Sequence, residues 1–249
     1  MRLTRVHIDE DLQAGQRLTI EGSAGNHIGR VLRLRVGESV TLFNGQGGEY
    51  AASIEEIRRD TVMVTVQERR DAERESPCQI VLAQGISRGE RMDWVVQKAT
   101  ELGVARIVPL FTERSVVHLD DKQAARKVQH WRAIAIAACE QSGRNRVPEI
   151  AQPVGLYALL EQATIPHGTA PRGAALLLSP GAALRIADIA PDEAGATVLI
   201  GPEGGLADLE QETAVKSGFT PVRLGPRVLR TETAAVCALT LLQQKFGDL

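Results

Sequence analysis

The hydrophobic positions along the chain follow two rhythms, and the switch between them falls near Pro77. Before it, apolar residues come in short alternating or β-branched runs: Arg17–Ile20, Ser39–Phe43, Tyr50–Ile57 and Thr61–Gln67. Such runs predict strands, and Gly37-Glu38, Asn44 to Gly48 and Arg59-Asp60 separate them as turns. One segment breaks the alternation. Asn26 to Leu34 carries Ile28, Val31, Leu32 and Leu34 at helical spacing, with Arg30 and Arg33 three apart on another face. Four strands and one helix predict a small barrel. After Pro77 the pattern becomes strand, helix, strand: strands at Cys78–Gln84, Arg106–Phe111, Ala174–Leu178, Thr197–Ile200 and Pro221–Leu224, and helices at Asp93–Leu102, Asp121–Gln141, Ala207–Ser217 and Thr231–Phe246. Val128, Trp131, Ala135 and Ala138 face inward in the long helix, and Trp94 reads as core beside Val95 and Val96. Alternating β and α predicts a mostly parallel α/β sheet. Residues 68–77 are almost all charged or turn-forming and make the best linker, so the expected domains are 1–70 and 74–249.

Composition narrows the class. At 249 residues and 43% hydrophobic, the chain has ample material for a buried core. No apolar run reaches the ~18–20 residues of a membrane span, and the first nine residues lack the apolar block of a signal peptide. Cys78, Cys139 and Cys237 are far apart and lack zinc spacing, so a reduced, cytoplasmic, metal-free protein is expected. The net charge of −2 suggests no polyanionic partner, but its placement is uneven. Residues 1–8 hold Arg2, Arg5 and His7 without an acid, and residues 22–37 hold His27, Arg30, Arg33 and Arg35 without one. Arginine outnumbers lysine 24 to 5, which suits bidentate phosphate recognition and equally suits a GC-rich genome.

Ligands of parallel sheets bind at the carboxyl ends of strands. Thr197–Ile200 runs into Gly201-Pro202-Glu203-Gly204-Gly205, which fits either a backbone cradle or a tight turn. It is neither a Walker A loop nor the G-x-G-x-x-G fingerprint. Leu224-Gly225-Pro226-Arg227-Val228-Leu229-Arg230-Thr231-Glu232-Thr233 ends another strand and begins a helix. Thr231 or Thr233 could cap that helix and Glu232 complement its dipole, but Arg227 and Arg230 oppose the dipole. Leu178-Ser179-Pro180 ends a third strand. The segment Glu140-Gln141-Ser142-Gly143-Arg144-Asn145-Arg146 closes the long helix, with Gly143 as its C-cap. His7, His118, His130 and His167 read as solvated or locally satisfied.

Taken together, Asn26 to Arg33, Ser87-Arg88-Gly89-Glu90-Arg91-Met92, Gln97 to Gly103, Glu140 to Pro148, Leu199 to Gly205 and Leu224 to Ala234 closely resemble the bacterial ribosomal RNA small subunit methyltransferase E family, in order along the whole chain. The resemblance implies a PUA-like RNA-binding β-barrel followed by a SPOUT-type α/β domain with a C-terminal trefoil knot. It implies a homodimer with composite active sites that methylates N3 of one uridine near the 3′ end of 16S rRNA in the 30S subunit, using S-adenosyl-L-methionine. Mapped onto this sequence, cofactor contacts fall at Leu178, Ser179, Ile200, Gly201, Pro202, Glu203, Gly204, Gly205, Leu224, Gly225, Val228 and Leu229.

Methylating N3 of uracil requires removal of its proton or stabilisation of the anion. Arg230, Glu232, Glu140 and Arg144 are the expected catalytic groups, with Arg230 on the developing anion and Glu232 or Glu140 as base. Arg2, Arg5, His27, Arg30, Arg33, Arg88, Arg91, Asn145 and Arg146 are the expected RNA contacts. Two other readings remain open from the residues: a non-catalytic RNA-binding assembly factor, and a methyltransferase acting on tRNA or another base.

Overall fold

The computed structural model describes residues 4–59, 61–164, 173–190 and 195–249; Arg2 and His167 lie outside them. The first sheet is built from β1 (Arg5–His7), β2 (Arg17–Ile20), β3 (Ser39–Phe43), β4 (Glu49–Ile57) and β5 (Val62–Arg70), in the order β1-β3-β4-β5-β2. Only the β1–β3 pair is parallel. Register shifts at Tyr50/Ala52 and Ile54/Glu56 mark bulges where β4 bends. Among the described residues β1 and β2 are the two edges, so the sheet is a half-barrel where the sequence predicts a small barrel. Those edge strands have 3 and 4 residues, too little ladder to close a barrel across the gap. Val6, Leu42, Ile54 and Val64 fill its concave core together with Ile28.

Ile28 comes from the segment predicted as one helix over 26–34. It is instead a short helix α1 (Gly22–Asn26) followed by a π-helical turn over His27–Val31. Gly22, Gly25 and Gly29 weaken helix propagation here, and Arg33 stops it in the left-handed region at φ 52°.

The second sheet contains β6 (Ile80–Gly85), β7 (Arg106–Phe111), β8 (Glu149–Ile150), β9 (Val154–Gly155), β10 (Ala174–Leu178), β11 (Leu184–Arg185), β12 (Ala196–Ile200) and β13 (Thr220–Arg223). Its order is β11-β13-β10-β12-β6-β7-β8, with β9 also on β7, and every pairing is parallel. A parallel sheet is buried on both faces, as the wholly buried β6 and β12 show. The accompanying helices are α2 (Arg91–Glu101), α3 (Asp121–Ser142), α4 (Leu156–Thr164), α5 (Asp208–Lys216) and α6 (Thr231–Phe246).

The chain forms two compact units, residues 1–75 with 136–147, and residues 76–135 with 148–249. The last turns of α3 and the segment after it therefore belong with the half-barrel strands. A reading by linker composition alone assigns them to the other domain.

The two tryptophans part company. Trp131 is 1% exposed and its indole N–H donates to Asp93 Oδ1 at 3.0 Å. Trp94 is 39% exposed, because α2 turns Met92, Val95, Val96 and Ala99 inward and leaves position 94 off that stripe. Trp131→Ala should destabilise the chain by roughly 3–5 kcal/mol in denaturant titration, and Trp94→Ala by clearly less. Equal losses would contradict this assignment of the core.

Candidate active site

The carboxyl ends of β10, β12 and β13 run into loops that line one cavity of about 590 Å³. Its wall includes Leu178 and Ser179 after β10, Ile200 to Leu206 after β12, and Leu224, Gly225, Val228 and Leu229 after β13. Every residue expected around a cofactor lines this cavity, and so do Arg230 and Glu232. Strands that end side by side in a parallel sheet bring their loops together without further instruction from the sequence.

Two glycines make the convergence sterically possible. The loop after β12 passes so close to the end of β6 that a Cβ on Gly85 would lie 2.4 Å from the Pro202 nitrogen. Gly205 then turns the chain at φ +68°, with its N–H donating to Pro202 O at 2.9 Å. Beneath the loop, buried Gln84 donates from Nε2 to Thr231 Oγ1 at 2.9 Å, and the Thr231 hydroxyl donates to Gly201 O at 2.7 Å. Thr231 is thus committed to the loop, and the N-cap of α6, Arg230, makes no side-chain capping bond. Neither threonine expected as a possible cap fills that role at the N-cap position.

Charge is placed unevenly on the wall. Arg91 donates from Nη1 to Glu203 Oε1 at 2.7 Å, and the Arg88 backbone N–H donates to the same oxygen at 2.9 Å. Partial burial works against Glu203 ionising, but its own backbone N–H, that of Arg88 and the Arg91 guanidinium together hold its carboxyl below the usual range. Arg91 Nε also lies 3.9 Å from Glu232 Oε1, while Glu232 Oε2 is buried with no hydrogen-bond partner among the described residues. Arg227 and Arg230 are exposed and form no ion pair among the described residues.

The chain matches the RNA methyltransferase domain model over residues 74–243 and the RNA methyltransferase PUA domain model over residues 20–67. It is 36% identical to ribosomal RNA small subunit methyltransferase E of Buchnera aphidicola subsp. Schizaphis graminum, over 100% of this chain and 98% of that protein. The chain belongs to the ribosomal RNA small subunit methyltransferase E family. A Neisseria gonorrhoeae member solved bound to S-adenosyl methionine superimposes with a TM-score of 0.90 at 35% identity, over 99% of each chain. A Legionella pneumophila protein solved with the bound cofactor SAM superimposes with a TM-score of 0.93 at 44% identity, over 100% of each chain. Membership gives the first unit its name, a PUA-like half-barrel sheet, and the second its class.

Other expected site residues lie in that PUA-like unit, and several are already engaged. Arg5, only 8% exposed at its side chain, pairs with buried Glu49, donates to Arg144 O at 3.0 Å and Asn145 Oδ1 at 2.6 Å, and lies over the Phe43 ring. Arg144 pairs with Glu75, donating from Nε at 3.0 Å, and Asn145 donates to Ala72 O. Expected to meet RNA, Arg5 and Asn145 are instead internal struts. Arg144, expected at the reacting base, is bound up by Glu75 in the same network. The physical reason is desolvation: a buried guanidinium requires a carboxylate and carbonyls around it. Glu140 Oε1 accepts the His7 backbone N–H at 3.0 Å, and burial raises its pKa against the lowering effects of that bond, His27 and Arg5. His27 is half-buried, while Arg30, Arg33 and Arg146 are exposed; Arg30 donates to Arg59 O at 3.3 Å and Arg146 pairs with Glu73 at 3.4 Å.

Sequence reasoning missed Gln84, Arg114 and Glu210. Arg114 could have been found, since it stands in the Thr-Glu-Arg that ends β7. Glu210 sits three residues after an alanine, without the N-cap hydroxyl that marks a capping box.

Arg144→Ala strands Glu75 and should cost roughly 3–5 kcal/mol of stability. Chemical denaturation followed by far-UV circular dichroism would show it; an unchanged midpoint would return Arg144 to a purely functional role. Because Glu140 holds its proton more tightly folded than unfolded, its contribution to stability is complete below about pH 4.5 and is lost as pH rises through its folded pKa. The native chain should therefore lose stability relative to Glu140→Gln above that pH, measured by urea titration across the range; a pH-independent difference would contradict the burial argument.

Proposed function

We propose that this chain methylates N3 of one uridine near the 3′ end of 16S rRNA in the 30S subunit, with S-adenosyl-L-methionine as cofactor. The observation that carries this reading is a cavity of about 590 Å³ in which cofactor-type loops meet a carboxylate oxygen and arginines that have no partner among the described residues. Its size suits a nucleoside-sized ligand. Leu178, Ile200, Leu224, Val228 and Leu229 offer apolar surface, while Gly201, Gly204, Gly205 and Gly225 bring the backbone into the wall without side chains. Ser179, Pro202 and Glu203 complete the set that would hold the cofactor. The family relatives solved with this cofactor support the assignment. When bound, S-adenosyl-L-methionine supplies an electrophilic methyl carbon on a sulfonium centre.

The chain's own residues then have two tasks. The first concerns the N3 proton, which uracil retains near neutral pH. Glu232 Oε2, without a hydrogen-bond partner among the described residues, takes that proton in this reading, and Arg91 Nε, 3.9 Å from the other oxygen, keeps the carboxylate available. The second concerns the negative charge spreading onto the uracil carbonyls. Arg230, uncommitted at the start of α6, stabilises it. Arg91 at the cavity and Arg88, whose backbone N–H donates to Glu203, with His27, Arg30, Arg33 and Arg146 in the PUA-like unit, supply phosphate contacts; Arg5, Arg144 and Asn145 organise that unit. Phosphate contacts position the substrate and make binding salt-dependent. The trefoil knot and the homodimer that the family resemblance implies belong to this reading. So does action in the cytoplasm, where ribosomal subunits are; among the described residues no helix is long and apolar enough to cross a membrane.

With saturating cofactor and undermethylated small subunits, Arg230→Ala should lower turnover by about 10²–10³-fold, and Glu232→Gln by about 10²–10⁴-fold. Cofactor affinity by calorimetry should change little in either. Unchanged turnover removes the residue from the chemistry. A fall in melting temperature that accounts for the loss in Glu232→Gln reduces that residue to a helix-dipole partner. No cofactor binding by the native chain favours the assembly-factor reading, and methyl transfer to tRNA in place of the small subunit overturns the substrate.

A further inference from the structure

The first turn of α5 is hydrogen-bonded to three segments that reach the cavity: the turn after β7, the loop after β12 and Ser179 after β10. Glu210 is 1% exposed, yet among the described residues it has no cationic partner. Its Oε2 accepts the Ala207 backbone N–H at 2.8 Å, and its Oε1 accepts the Glu113 backbone N–H, also at 2.8 Å. Helix capping explains the first bond, since a glutamate at the third helical position commonly reaches back to the N-cap amide. It does not explain the second. Glu113 lies ninety-seven residues earlier, in the turn after β7, and that turn carries Arg114 into the cavity wall. Arg114 in turn donates from Nη1 to Gly204 O at 3.3 Å, and Gly204 is packed so closely that a Cβ there would lie 3.1 Å from the Arg114 Cβ.

The turn after β7 is stiff on its own account. The Thr112 N–H donates to Ser115 Oγ at 3.1 Å, and the Ser115 N–H donates to Thr112 O at 3.0 Å. The neighbouring residue of α5 repeats the pattern on the third loop: the Ser179 hydroxyl donates to Gln211 Oε1 at 3.2 Å, and Gln211 Nε2 donates to Leu206 O at 3.2 Å. Burying a carboxylate without a cation is costly unless strong donors surround it. Bonds from backbone N–H groups to a charged oxygen are such donors, and the amino end of α5 adds its dipole.

We infer that Glu210 is a positioning residue for the cavity: its buried carboxylate locks the Arg114 turn and the Gly201–Ala207 loop into one fixed register, with Gln211 tying in Ser179. Glu210 touches no ligand itself. It acts through the loops, so its loss should loosen cofactor binding and leave the chemical step intact. The inference rests on the cavity being the cofactor site.

Glu210→Gln tests it, because glutamine keeps the shape but can accept from only one of the two amides. Titration calorimetry of the purified full-length chain with S-adenosyl-L-methionine should show affinity falling about tenfold in Glu210→Gln, and further in Glu210→Ala. In methyl-transfer kinetics well below the unfolding temperature, KM for the cofactor should rise with kcat unchanged. Glu212→Gln, two residues on and exposed, should match the native chain. A fall in kcat at constant KM would mean that the variant only reduces the folded fraction, and would overturn the inference; so would native affinity in Glu210→Gln. Should Glu210→Ala fail to fold, the glutamine variant still decides. If the native chain itself binds no cofactor, the cavity assignment fails first, and that outcome is distinct from both.

Discussion

The loop after β12 crosses the end of β6 at backbone contact distance, and the rest of the site depends on that crossing. A side chain on Gly85 would overlap the Pro202 nitrogen, so this one position decides whether the Gly201–Gly205 loop can close over the sheet. Once it does, Gln84 and Thr231 hold it from below, and α6 begins where Arg230 and Glu232 enter the cavity wall. Glycine near Pro202 and parallel strands that end side by side thus set the place of the cavity.

The two units use charge in opposite ways. In the PUA-like unit, Arg5, Glu49, Arg144, Glu75 and Asn145 neutralise one another in a buried network, which fixes the segment after α3 to the strands. At the cavity, Arg91 and Glu203 pair, but among the described residues Arg227, Arg230 and one oxygen of Glu232 have no partner. Both units are close to neutral, so a net charge near zero hides where charge is spent and where it is left over. Groups already satisfied hold the fold, and groups left unsatisfied are the ones available to a substrate.

Much of the architecture can be read from the residues. Strand runs such as Ser39–Phe43 and Arg106–Phe111 appear where their alternation or continuous apolarity predicts, and Gly143 ends α3 in the left-handed conformation. The cavity-lining loops were legible because they follow strands and contain Gly-Pro punctuation. What was not legible depends on contacts distant in sequence. Trp94 and Trp131 look alike as apolar residues in helices, and what separates them is that Trp94 lies off the Met92, Val95, Val96 and Ala99 stripe that α2 buries. Nothing near Arg5 announces Glu49, so an arginine in an acid-free stretch reads as a surface contact although it is internal. The π-helical turn at His27–Val31 lies below the resolution of a periodicity argument, and Glu210 becomes conspicuous only once Glu113 is brought to it.

The most direct test of the account is mass mapping of 16S rRNA from a strain lacking this gene, followed by treatment of its 30S subunits with the purified chain and S-adenosyl-L-methionine. The account predicts that one 3-methyluridine near the 3′ end is missing in the strain and restored by the protein. A fully methylated 16S rRNA in the deletion strain, or a restored methyl group at a different base, would contradict it.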